Sequence, residues 1–94
     1  MRLSAIEIAV IKREFSRQDP DAKIYLFGSR VDDSKRGGDI DLLVLSNRLM
    51  LKDKLKVRVA LYDSLGEQKI DIVIAKTLED NAFVAHAAKI GVLL

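Results

Sequence analysis

The sequence predicts a small α/β (α+β) domain with a mixed sheet of about three strands flanked by helices. Three observations carry this. Short apolar runs alternate with longer stretches of helical periodicity, in the order helix-strand-turn-strand-helix-strand-helix. The run at residues 39 to 46 is apolar at almost every position, which suits a strand covered on both faces. The link between the first two strand runs is too short for a full crossover helix. It favours antiparallel pairing there, and so a mixed sheet.

Each element follows from local chemistry. Residues 3 to 17 read as a helix. Ser4 followed by Glu7 is a capping-box signature, and Leu3, Ile6, Val10 and Ile11 recur at helical spacing among the polar positions Arg13, Glu14 and Arg17. Asp19-Pro20-Asp21 ends the helix and turns the chain. Residues 23 to 27 form a short strand, and Gly28-Ser29 closes it and opens a short helical turn. Lys35-Arg36-Gly37-Gly38 is a loop before the second strand at 39 to 46. Residues 49 to 65 form a helix whose apolar stripe is Leu51, Leu55, Val59, Tyr62 and Leu65, stopped by Gly66. Residues 69 to 75 are a third strand. Thr77 caps a last helix running to about Gly91, with His86 at its surface among Ala82, Ala85, Ala87 and Ala88. Tyr25 and Tyr62 are expected in the core with a polar tip at its edge. No linker or repeat divides the chain, so residues 1–94 are expected to be a single domain.

Composition narrows the functional classes. The 94 residues are 49% hydrophobic, ample for a core and unlike a disordered chain. There is no cysteine, which excludes disulfides and thiolate metal sites. A net charge of +2 with 32% charged residues gives no strong basic field, so no direct nucleic-acid partner is expected. The local run Lys52, Lys54, Lys56, Arg58 reads as a solvated helix face. No run reaches membrane-span length and the N-terminus lacks a signal peptide's apolar stretch, so the expectation is a soluble cytoplasmic protein without membrane contact.

Two carboxylates break this pattern. Asp39 and Asp41 alternate with Ile40 and Leu42 in what otherwise reads as a core strand. Residues two apart share a strand face, about 6.5 Å apart along it. Such a pair repels and loses hydration. A divalent cation removes that penalty, and Mg²⁺ prefers carboxylate oxygens together with water and substrate phosphate. Asp71, also set in a strand, joins them if the third strand lies beside the second. It would serve as a third metal ligand, in a pocket able to hold two ions, or as a general base. At the other end of the motif, a glycine at a strand end allows close backbone approach. Helical-turn amides and the Ser29 hydroxyl would then form an anion cradle. Arg30 is placed to contact phosphate or, equally, a carboxylate.

The combination "LFGSR…GGDIDLLV…KIDIVIA" resembles the nucleotidyltransferase superfamily that includes DNA polymerase beta, across nearly the whole chain. The Gly-Ser-Arg form is similar to the minimal nucleotidyltransferases. The resemblance implies that Gly28 and Ser29 hold nucleotide phosphates, that Arg30 assists them, and that Asp39, Asp41 and Asp71 are the catalytic carboxylates and the Mg²⁺ ligands. It further implies ATP as donor and, as partner, a HEPN-domain RNase toxin whose tyrosine receives AMP, so that the chain acts as an antitoxin. Two alternatives stay open. One is a non-catalytic antitoxin that masks its toxin, and the other is transfer to a small molecule or RNA. A hetero-oligomer with the toxin is expected, with a homodimer possible for the chain alone. A chain of this size is expected to borrow its acceptor from a partner protein.

Overall fold

The computed structural model describes residues 1–34 and 38–94. The expected loop at Lys35-Arg36-Gly37-Gly38 lies outside the described residues except for Gly38. The elements are α1 (Ala5–Gln18), β1 (Lys23–Phe27), a 3-10 turn (Gly28–Val31), β2 (Ile40–Leu45), α2 (Leu51–Leu65), β3 (Ile70–Ala75), α3 (Ala82–Ile90) and β4 (Val92–Leu93). They form the expected α+β fold around one mixed sheet of order β3-β2-β1-β4.

The capping box forms as read. The Glu7 amide donates to Ser4 Oγ at 3.1 Å and the Ser4 amide donates to the Glu7 carboxylate at 2.9 Å. These contacts occupy two amides that the first turn leaves without helical partners. The buried arc of α1 is Val10, Ile11, Glu14 and Phe15. Ile6 was expected on that arc and is instead 73% exposed. It lies about a third of a turn from the arc's centre, so the rotation that buries Phe15 turns Ile6 outward. Glu14 is tolerated inside because Arg13 and Arg17 both reach its carboxylate, at 3.0 and 3.2 Å.

β1 and β2 pair antiparallel, and β2 and β3 pair parallel across the α2 crossover. β2 is covered on both faces. Ile40, Leu42 and Val44 point into a cluster with Ile11 and Phe15 of α1 and Val57 and Leu61 of α2. Leu43 points the other way, into a smaller cluster with Val84 and Ala87 of α3. Each fully buried aliphatic side chain contributes roughly 1.5–3 kcal/mol. The continuous apolar run of β2 thus locks the central strand from both sides.

Three further details depart from expectation. The sheet has a fourth strand, β4, which pairs antiparallel with β1 through Tyr25↔Leu93 and Leu26↔Val92. Two residues show no periodicity of their own, so only pairing reveals them. Thr77 does not cap α3. Asp80 draws the Lys76 and Thr77 amides and the Thr77 hydroxyl into a separate turn, and Asn81 caps the helix by accepting from the Val84 amide at 2.9 Å.

The third departure is the orientation of α2. Leu51, Leu55, Val59 and Tyr62 were read as its core stripe, yet they are 68%, 50%, 61% and 39% exposed. The helix buries Val57 and Leu61 instead. α2 carries two apolar arcs on different sides, and only one can face the sheet. The arc of Val57 and Leu61 extends the buried Leu49 and meets α1 and β2, leaving the longer arc in water. Leu65, at the C-terminal end of α2, packs partly buried against the same cluster.

Candidate functional site

The strand register assembles the site. Asp41 of β2 stands directly beside Asp71 of the parallel strand β3, and Phe27 of β1 stands beside Asp41 on the other side. The end of β1 therefore delivers Gly28 to Asp41. Phe27 is held there edge-on against Phe83 of α3, with ring centres 5.7 Å apart. Gly28 has a φ of +78°, and a Cβ at this position would fall 2.2 Å from Asp41 Oδ2. Only glycine permits both this conformation and this approach. The strand-end glycine and the second aspartate of the Asp-x-Asp pair are thus packed backbone against carboxylate.

Asp39 lies just ahead of β2 and is half-exposed. Its Oδ2 is 3.4 Å from Lys69 Nζ. Lys69 did not stand out as a site residue, although strand alternation gives the signal. It lies two positions before Asp71 and so is directed to the same side. Its ammonium is pushed up chiefly by its hydrogen bond with Asp39 and that group's charge, then by the charge of Asp71. The Asp41 carboxyl is pushed above its ordinary value. Burial is the main cause, followed by the negative charges of Asp71 and Asp39 and a hydrogen bond with Asp71. The fold therefore resists ionisation of this central carboxylate. Lys69 offsets that only partly, being a solvent-exposed partner.

Ser29 and Arg30 sit in the 3-10 turn that follows Gly28. Gly38, with a φ of +92°, packs so closely that a Cβ there would fall 2.2 Å from Ser29 Oγ. Gly38 thereby brings the chain leading into Asp39 against the Ser29 hydroxyl. Arg30 donates from Nε to the Gly38 carbonyl at 3.1 Å and from Nη1 to the Arg2 carbonyl at 2.9 Å. Arg2 answers by donating to the carbonyls of Ser29 and Asp32, at 3.0 Å each. In this arrangement the Arg30 guanidinium ties together the two chain segments that frame the site. Arg2 was not expected here. An arginine in an N-terminal tail offers no pattern that points to a loop thirty residues on.

The donor set suits a hard divalent cation, with one qualification. Among the described residues, no three side chains of the Asp, Glu, His or Cys type converge as a ready-made cage. Asp41 and Asp71 are side by side, while Asp39 is turned to Lys69. Mg²⁺ is commonly held by one or two carboxylates, with water and substrate phosphates completing its octahedron, so this pair is sufficient. The strained ionisation of Asp41 is what a cation would relieve. Asp41 and Asp71 would hold the ion, and Asp39 would join by exchanging its lysine partner.

The chain matches the family model for the polymerase beta nucleotidyltransferase domain over residues 9–94 and belongs to that family. No curated protein matches it. The mixed sheet places carboxylates in register on β2 and β3, with a strand-end glycine pressed against one of them, within the matched region. The chemistry indicated is that of a nucleotidyltransferase. Among the described residues, no helix is long and apolar enough to cross a membrane.

Proposed function

We propose that the protein is a minimal nucleotidyltransferase that moves AMP from ATP to a tyrosine of a HEPN-domain RNase toxin, and so acts as its antitoxin. The observation that carries the transferase reading is the in-register pair Asp41–Asp71 beside Gly28. The toxin partner rests on the similarity of the Gly-Ser-Arg and Asp-Ile-Asp motifs to minimal nucleotidyltransferases.

Bound Mg²⁺ would neutralise phosphate charge and orient the α-phosphate. The chain's own residues do the rest. Gly28 lets the turn close against the Asp41 carboxylate, and Ser29 offers a hydroxyl. Arg30 and Arg2 hold the turn and the Gly38 segment in place. The acceptor hydroxyl oxygen forms a bond to the α-phosphorus, and its proton passes to Asp71. The bond to pyrophosphate breaks, and pyrophosphate leaves with the electron pair. Positioning of reactants in such a site is worth several kcal/mol of barrier.

Masking without catalysis is the rival reading, and the exposed apolar arc of α2 favours a binding role of some kind. Intact-mass spectrometry of a HEPN-domain RNase toxin, after incubation with the chain, ATP and Mg²⁺, separates the two. Transfer predicts added AMP on the toxin, absent with Asp39→Asn/Asp41→Asn. A stable complex with unchanged mass would leave only masking.

A further inference from the structure

We propose that the outward arc of α2 is the docking surface for an apolar helix with acidic flanks on the protein acceptor, and that it leads that acceptor to the carboxylates. Delivery to the carboxylates rests on the transferase reading above, but the docking itself does not. Leu51, Leu55, Val59 and Tyr62 follow the i, i+4, i+8, i+11 spacing of a single helix face, and all four are exposed. Exposed apolar groups in one continuous stripe mark an interaction site, whereas scattered ones do not. A stripe of this length on a helix suits a second amphipathic helix laid along it.

Charge identifies the occupant. Helical geometry sets Lys52 and Lys56 along one side of the stripe, and Lys54 and Arg58 along the other. Asp63 sits at the far end of the Lys52–Lys56 side. Arg58 Nε is shielded from water and has no hydrogen-bond acceptor among the described residues. What the row offers a partner is the positive charge of the guanidinium, which a carboxylate complements. A second copy of the chain fits poorly. Two such faces packed antiparallel would bring Arg58 against its own copy, and like charges across an interface are destabilising. An acidic-flanked helix meets the same rows with opposite sign.

Continuity with the site gives the direction. Tyr62, at the C-terminal end of the stripe, lines a pocket of about 420 Å³ together with Glu67, Gln68 and Lys69. Lys69 is the residue paired with Asp39. A helix seated on α2 therefore ends where the carboxylates begin.

The test uses two synthetic helical peptides with the same leucine stripe, one with glutamate flanks and one with lysine flanks. Fluorescence anisotropy is read against the wild-type chain, Leu55→Asp, Arg58→Glu and Asp41→Asn, with circular dichroism confirming that each is folded. The glutamate-flanked peptide is expected to bind at least tenfold more tightly than the lysine-flanked one, with affinity falling as salt rises. Leu55→Asp and Arg58→Glu should each weaken it at least tenfold, and Asp41→Asn should leave it unchanged. Equal binding of the two peptides, binding by neither, or indifference to the α2 variants overturns the proposal. So does a free chain that sediments as a dimer and is dissociated by Leu55→Asp, since a second copy would then be the occupant. Peptide binding without nucleotide transfer to any acceptor would retain the docking surface and reject the transferase reading. Transfer to a protein acceptor undiminished by both α2 variants would do the reverse.

Discussion

Asp41→Asn should stabilise the cation-free protein while ending its chemistry. Asp41 and Asp71 are neighbours in a parallel register, and adjacent strands lie about 4.8 Å apart. Two unit charges about 5 Å apart interact by about 3 kcal/mol at an effective dielectric near 20. Asp41 is only half-buried, so screening brings the net repulsion to roughly 1–2 kcal/mol. In a domain of this size each kcal/mol moves the melting temperature by about 4–8 °C. Asparagine keeps the shape and a hydrogen bond to Asp71, so a rise of roughly 5 °C or more is expected at neutral pH in chelator. The sign with pH follows from the raised Asp41 carboxyl. The stability linked to its protonated form is fully present below the ordinary value of 3.8 and is lost as pH climbs through the native value. Asparagine does not ionise, so the gap between variant and wild type should open with rising pH and close in acid. Mg²⁺ should raise the melting temperature of the wild type and leave that of the variant nearly unmoved. Circular-dichroism melts across pH, with and without Mg²⁺, measure all of this. A variant that melts below wild type at neutral pH in chelator, or a gap that persists in acid, would refute the electrostatic reasoning.

Other residues give separate tests. Gly28→Ala forces a methyl against Asp41 Oδ2 at a φ of +78°. It should cost about 1–2 kcal/mol of stability and reduce transfer at least 100-fold, and a wild-type rate would remove Gly28 from the site. Asp19→Ala strands the buried Ser46 hydroxyl, which donates to Asp19 at 2.5 Å, and the Asp21 amide at 2.9 Å. A loss of about 1–3 kcal/mol is expected by urea unfolding at neutral pH. The Ser46 hydrogen bond is the main force holding the Asp19 carboxyl below its ordinary value of 3.8. That contribution is present above 3.8 and lost as pH falls through the native value, so variant and wild type should converge in acid. Lys69→Met removes the cation paired with Asp39. Mn²⁺ binding followed by electron paramagnetic resonance should tighten, whereas weakening would show that Lys69 orders the site and does not compete with the metal.

The pattern of apolar runs was enough to read β1, β2 and β3 nearly to the residue, because each is short, aliphatic and bounded by turn residues. The same runs carried the site. Asp41 and Asp71 stood out because a carboxylate in a buried strand needs a reason, and the parallel register then put them side by side. The facing of α2 was misread for a physical cause. Helical periodicity marks apolar arcs, and nothing in the periodicity says which of two arcs the sheet will take. Lys69 was visible by alternation, but an exposed lysine at a strand start usually marks only a solvated edge. The Arg2–Arg30 clamp and β4 are long-range or very short features. They exist only once the chain has folded.

The most direct measurement is NMR of the wild-type chain titrated with Mn²⁺·ATP, where paramagnetic broadening reports distance from the ion. Strongest broadening of the amide signals of Gly28, Asp41 and Asp71, decaying toward the opposite strand ends at Lys23, Leu45 and Ala75, with the effect abolished in Asp39→Asn/Asp41→Asn, is the expected result. Broadening centred elsewhere, or unchanged in the double variant, would mean that these carboxylates do not hold the metal–nucleotide complex.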